Sequence, residues 1–214
     1  MKRVRNILYA AAKRLAASKL LRIELAVIVG TLSVLTYTAA AAIGEQREIA
    51  ERVLRLHVVA ASDSAEDQAL KLSVRDHLLA TYGEELTAMP SVVEATAWAQ
   101  AHLPELQAAA EAVLAAQGCD ASVTASVCRE VFPTRTYDAL NLPAGEYTAL
   151  KLVIGAGAGK NWWCVMFPPL CTAAALDTAV FTDGQWRTLT NDAPDITIRF
   201  RLLEWWYALV ELFD

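Results

Sequence analysis

VLRLHVVAASDSAEDQALKLSVRDHLLATYG, residues 53–83, changes its hydrophobic period part-way along, and that change decides the fold. In the first eight residues Leu54, Leu56, Val58 and Ala60 fall on one side, while Val53, Arg55, His57 and Val59 fall on the other. This is a strand with one wholly apolar face and one mixed face. Ala61-Ser62-Asp63-Ser64 is a polar break. Beyond it Leu70, Val74, Leu78 and Thr81 recur on one helical stripe. Ser64 with Asp67 three residues later matches a capping box, Glu66 and Asp67 suit the positive end of a helix, and Gly83 reads as its stop. The segment predicts a strand, a tight turn and a helix.

Working outward, Ile49 to Arg52 reads as a short helical lead into the strand. Downstream, two alanine-rich helices are expected at Ser91–Ala101 and Pro104–Gln117, ending near Gly118. The period then becomes two. Ser122–Phe132 and Gly145–Gly155 alternate like half-buried antiparallel strands, with turn chemistry at Leu142-Pro143-Ala144-Gly145. Asn161–Phe167 is a further strand candidate, Asp195–Phe200 another, and the chain ends in a helical pattern with Leu202, Trp205, Trp206, Leu209 and Phe213 as its apolar side. Helices first and strands later predict an α+β class: a small, mostly antiparallel sheet packed by helices on one side. No repeat or low-complexity stretch divides residues 45–214, which reads as one domain.

The net charge of −5 over 214 residues conceals an asymmetry. Residues 1–24 hold seven basic side chains against the single acid Glu24, and from Leu25 onward there are 12 basic and 23 acidic residues, a net of −11. Between these parts LAVIVGTLSVLTYTAAAAIG, residues 25–44, contains no charge. Twenty helical residues span about 30 Å, the thickness of a bilayer's hydrocarbon core. Cations before an apolar span stay cytoplasmic, so residues 1–24 read as a cytoplasmic leader and residues 45–214 as an exported domain. Ala39 to Ala42 offer signal-peptidase sites, whereas the full span has the length of an anchor. Both outcomes export the domain.

Cys119, Cys128, Cys164 and Cys171 all lie in the exported part, where disulfides persist. Three full pairings are possible, and Cys164–Cys171 is the favoured bridge because Pro168 and Pro169 between them can bend the chain back. So short a loop contributes only about 2 kcal/mol, so its use is to fix local shape. No CxxC occurs, and His57, His77 and His102 share no ligand spacing with the cysteines, so no metal or other cofactor is expected.

Catalytic readings meet plainer competitors. His57, Asp63 and Ser64 are the residue types of a hydrolase triad, but no G-x-S-x-G surrounds the serine, which is the natural helix cap. His57 reads as a partner-facing or satisfied core histidine. Asp76 and His77 point about 100° apart on a helix and do not share a site. Gly155-Ala-Gly-Ala-Gly-Lys160-Asn161 lacks the spacing and the Ser/Thr of a phosphate loop and reads as a flexible hairpin connection. An acidic body repels polyanions, which excludes nucleic acid as a partner. What packing leaves unexplained is the aromatic and proline cluster Asn161–Cys171, where the adjacent Trp162 and Trp163 on a strand place one ring on each face; the alternative is that both rings pack under neighbouring helices. Exposed tryptophan in a braced segment is a frequent protein-recognition anchor.

LRLHVVAASDSAEDQALKLSVRDHL (Leu54–Leu78), FPTRTY (Phe132–Tyr137), LPAGEY (Leu142–Tyr147) and GKNWWCVMFPPLC (Gly159–Cys171) closely resemble, in order, the blocks of the stage II sporulation protein R (SpoIIR) family of endospore-forming bacteria. The resemblance weakens over residues 84–117 and 172–192. It implies a protein made in the forespore and exported toward the space between the two sporulation membranes. There it triggers the membrane-embedded aspartic protease SpoIIGA, which removes the inhibitory segment of pro-sigma-E in the mother cell. It implies a signal rather than an enzyme, so no catalytic residue, cofactor or small-molecule substrate is expected. Two surfaces are candidates for the protease's extracytoplasmic face. One is the turn and helix carrying His57, Asp63, Ser64, Asp67, Gln68, Arg75 and Asp76; the other is Asn161, Trp162 and Trp163. The competing classes are an exported hydrolase and a structural protein at the membrane surface, relying on the Trp205-Trp206 helix.

Overall fold

The strand, turn and helix expected at residues 53–83 form β1 (Leu54–Val59) and α2 (Ala65–Thr87). The computed structural model of the chain describes residues 19–137, 140–168, 181–182, 185–186, 189–190 and 204. The remaining elements are α1 (Lys19–Ala50), α3 (Val92–Ala101), α4 (Leu103–Ala116), β2 (Val123–Phe132), β3 (Arg135–Tyr137), β4 (Leu140–Leu142), β5 (Gly145–Ile154) and β6 (Asn161–Phe167). The strand and helix expected after residue 194 lie outside the described residues. Two compact units divide the chain, Met1–Ala42 and Ile43–Asp214.

In the first unit the described residues are helical, and the 32-residue α1 is long and apolar enough to cross a membrane. Leu25, Val27, Ile28, Val29, Leu32, Val34 and Leu35 all stand exposed. Its hydroxyls are turned inward on the backbone. Thr31, Ser33 and Thr36 donate to the carbonyls of Val27, Ser33's partner Val29, and Leu32 at 2.8, 2.8 and 2.7 Å. A hydroxyl bonded to the carbonyl four residues back is satisfied without water, which is what hydrocarbon demands.

In the second unit a four-stranded sheet has the order β2-β5-β1-β6. β2 with β5 and β1 with β6 are antiparallel, and β1 with β5 is parallel, so the sheet is mixed and mostly antiparallel. A separate two-stranded pair joins β3 to β4. One face of the large sheet is aliphatic. Leu54, Leu56, Val58, Leu150, Leu152 and Ile154 pack there with Leu70, Val74 and Leu78 of α2, Ala95 and Ala99 of α3, and Leu106, Ala110 and Leu114 of α4. Each fully buried leucine contributes about 1.5–3 kcal/mol relative to exposure. The helices lie on this side, as their stripes at i, i+4 and i+8 require.

The opposite face differs from expectation. All six β1 residues are buried, Arg55 and His57 included, because a second core of Ile49, Ala50, Val53, Phe132, Leu140, Leu142, Tyr147 and Val165 forms there. Ile49 and Ala50 belong to α1, so the short helical lead expected at Ile49–Arg52 is the last turn of a longer helix followed by a turn. Gly83 does not stop α2, which continues to a cap at Ala88 because Leu86, one turn further on, is fully buried. That burial offsets the roughly 1 kcal/mol that glycine costs inside a helix. The glycine-rich run after β5 is not a hairpin either: β5 and β6 flank β1, so the run crosses the end of β1. It is fastened there by Ala158 N–H to Ala61 O at 3.2 Å and Gly159 N–H to Ala60 O at 3.0 Å. A Cβ on Gly159 would lie 2.2 Å from the Ser62 carbonyl, so the approach excludes any side chain.

Candidate functional site

The turn between β1 and α2 is built from its own polar side chains. Ser64 caps α2 by accepting from the Asp67 N–H at 3.1 Å, as the sequence predicts. The capping box is left half made: the Asp67 carboxylate accepts from the Ser62 hydroxyl instead, and that hydroxyl accepts from the Ser64 N–H at 3.1 Å. Asp63 accepts the Lys160 N–H at 2.8 Å, and Gln68 Nε2 donates to Ser62 O at 2.8 Å. Lys71 is buried and donates to Gln68 Oε1 and, at 2.9 Å, to Lys160 O. Burial pushes its ammonium below the usual lysine range, helped by the charges of Lys160 and Arg75 and opposed by Asp63. The turn, the start of α2 and the crossing before β6 are thereby one clasp.

Along the same side, β6 brings Trp162 beneath α2. The Arg75 guanidinium lies 4.3 Å from the Trp162 ring centre and is held from behind by Asp76, which accepts from Nε at 2.7 Å and Nη2 at 2.6 Å. Trp162 is 36% exposed and Asp76 also faces solvent, so this stack is a surface feature. Asn161 beside it is exposed. Cation–π contacts at such sites contribute about 0.5–1 kcal/mol and fix the ring's orientation.

Trp163 points the other way. Its ring stacks on His57 with centroids 5.8 Å apart and an interplanar angle of 21°, and the Arg135 guanidinium lies 4.1 Å from its centre. His57, Lys151 and Trp163 are cross-strand neighbours on β1, β5 and β6. His57 Nδ1 donates to Glu130 Oε2 at 2.6 Å, and Lys151 Nζ donates to the other carboxylate oxygen. Burial works to raise the Glu130 carboxyl, but these two donors outweigh it and hold it below the usual range. Cys128, on the same strand, is pushed upward by burial and by the Glu130 charge. Deeper on this face Arg55 is wholly buried. Its Nε donates to Cys164 O at 2.9 Å and its Nη2 to the Tyr137 hydroxyl at 2.7 Å, while Phe132 and Tyr147 lie 4.3 and 4.9 Å from its charge.

A family model described as stage II sporulation protein R matches residues 50–177. The chain belongs to the stage II sporulation protein R family. Stage II sporulation protein R of Bacillus subtilis (strain 168) is 38% identical to it over 126 residues, which is 58% of this chain and 55% of that protein. The chain therefore matches little more than half the length of that curated relative. No solved structure matches it.

The SpoIIR match encloses all six strands among the described residues, α2 to α4 and every candidate residue from His57 to Trp163. The fold divides those candidates into two groups. Asp63, Ser64, Asp67, Gln68, Arg75, Asp76, Asn161 and Trp162 share the α2 and β6 side, joining what the sequence suggested were separate surfaces. His57 and Trp163 leave that group for the opposite face. His57, Asp63 and Ser64 are engaged with Glu130, the Lys160 N–H and the Asp67 N–H respectively, so no triad assembles. Cys164 is disulfide-bonded, Cys119 and Cys128 are free thiols, and Cys171 lies outside the described residues. Among the described residues no three His, Cys, Asp or Glu side chains are placed to hold a metal. Sequence reasoning missed Arg55, Glu130, Arg135 and Lys151. Their available signal was position: Arg55 interrupts an apolar strand, and Glu130 and Lys151 occupy inward places in alternating ones.

Proposed function

We propose that this chain is an exported sporulation signal that activates a SpoIIGA-like membrane protease and so leads to processing of pro-sigma-E in the mother cell. The observation that carries the reading is the SpoIIR family match over residues 50–177. It is supported by a helix long and apolar enough to cross a membrane, preceded by a strongly basic leader. It is a role of recognition, not catalysis: the polar residues of the turn are used in holding the turn.

The contact assigned to the protease is the Trp162, Arg75, Asp76 and Asn161 surface. Tryptophan and arginine dominate binding energy at protein interfaces, and here the ring is already oriented before a partner arrives, which lowers the entropy lost on binding. A signal of this kind acts by binding the active form of the protease more tightly than the inactive one, and about 5.5 kcal/mol of difference would convert a 1:99 population to 99:1. The test is co-expression of the full chain with its cognate protease and pro-sigma factor. Processing is expected with the wild type and is expected to fall at least about tenfold with Trp162→Ala. Absence of processing with all three proteins present overturns the activator role, and wild-type processing by Trp162→Ala overturns the surface assigned to it.

A further inference from the structure

On the face opposite the helices, among the described residues, buried guanidinium N–H groups stand without a hydrogen-bond partner. Arg55 is wholly buried, and its Nη1 has no hydrogen-bond partner. Arg135 Nε is likewise buried and unpartnered, as is His57 Nε2. These atoms share one ring of contacts. Arg55 touches Phe132 and Tyr137, Tyr137 donates to the Trp163 carbonyl at 3.0 Å, Trp163 stacks between His57 and the Arg135 guanidinium, and His57 closes the ring on Phe132 with centroids 6.0 Å apart. The nearby carboxylate, Glu130, is already taken by His57 and Lys151.

A buried guanidinium whose described partners are neutral acceptors and aromatic rings is costly in lost hydration, and each orphaned N–H adds to the cost. Such groups are retained where a ligand supplies the missing acceptor. Both guanidinium charges act on the same Tyr137 hydroxyl, and burial pushes Arg55 below the usual arginine range. Arg135, Tyr137 and Trp163 are partly exposed, which places the outer wall of the site at the surface.

We propose that Arg55 and Arg135, walled by Trp163, His57 and Phe132, form a carboxylate-binding site that takes an acidic side chain of the protein partner. Planar guanidinium groups donate N–H bonds to a carboxylate, and aromatic walls exclude the water that would weaken the contact. The identity of that partner rests on the activator reading; the chemistry of the site does not.

The site is tested first with acetate as the probe. Full-length chain with 15N-labelled arginine, in detergent micelles at neutral pH, is titrated with sodium acetate and, separately, with sodium chloride at equal ionic strength. Saturable shifts of the Arg55 and Arg135 Nε–Hε resonances with acetate alone are expected. Arg135→Gln should remove the saturable shift at Arg55 and Arg135→Lys should retain part of it. Superimposable acetate and chloride titrations overturn the proposal. This arm contains no protease, so its failure is distinct from failure of the activator role. In the co-expression assay Arg135→Gln is then expected to lower processing more than about tenfold, because the partner's carboxylate would be left without the guanidinium at the mouth of the site. Loss of acetate binding with wild-type processing overturns the partner as the source of the carboxylate and leaves a free small carboxylate.

Discussion

The two faces of the sheet are built from the same strands yet solve different problems. The face under α2, α3 and α4 is apolar and mostly aliphatic, and its buried side chains are held chiefly by packing. The opposite face holds Arg55, His57, Glu130 and Lys151 among Phe132, Tyr137, Tyr147 and Trp163, and each needs a named partner. Burial is the same on β1 for both. The difference is that the first face depends on volume and the second on pairing, so the first is the source of stability and the second of specificity.

The largest effect that would break this comparison comes from β1 itself. Leu56→Ala on the aliphatic face should cost about 2–5 kcal/mol, read as a lowered denaturation midpoint at unchanged slope. Arg55→Met, one residue away on the other face, should cost less than about 1.5 kcal/mol or raise stability, because a well-packed apolar side chain replaces a buried charge whose described partners are neutral. Equal losses would show that the two faces do not differ. A smaller effect is expected at the clasp between them: Ser64→Ala should cost about 1 kcal/mol by freeing the Asp67 N–H at the start of α2. Trp162 fluorescence is the second readout, because the same helix carries Arg75.

The smallest effect is the pH dependence of the paired face. Glu130 titrates below its ordinary value of 4.5 in the folded chain, so its contribution is fully present above that value and lost as pH falls through the folded range beneath it. Urea midpoints measured from pH 6 down to pH 3 should therefore fall less steeply in Glu130→Gln than in the wild type. Identical slopes would remove Glu130 from the pairing that distinguishes its face.

What was legible in the sequence follows the same division. The strand, turn and helix at residues 53–83, the Ser64 cap and the helix stripes are set by neighbours a few residues apart, and the periods of 2 and 3.6 report them directly. Strand order is not local. Nothing in the alternation of Gly145–Ile154 or Asn161–Phe167 says that β1 lies between them, which is why the glycine-rich crossing looked like a hairpin. The second core was hidden for a related reason: Ile49, Phe132, Leu140 and Tyr147 are far apart in the chain, and only together do they bury Arg55. Adjacent tryptophans did announce opposite faces, yet not that Arg75 would hold one and Arg135 the other.

The position of β1 also governs when this domain can exist. Its partners in the sheet are Ala149 opposite Arg55 on one side and Phe167 opposite Leu54 on the other, roughly a hundred residues further along. A chain that emerges N-terminus first has its central strand early and nothing to set beside it until the last third arrives. Closing so long a loop is slow, and contacts this distant in sequence form late. The strand that reads most clearly in the sequence is therefore one that cannot take its place in the sheet until β5 and β6, far along the chain, are there to flank it.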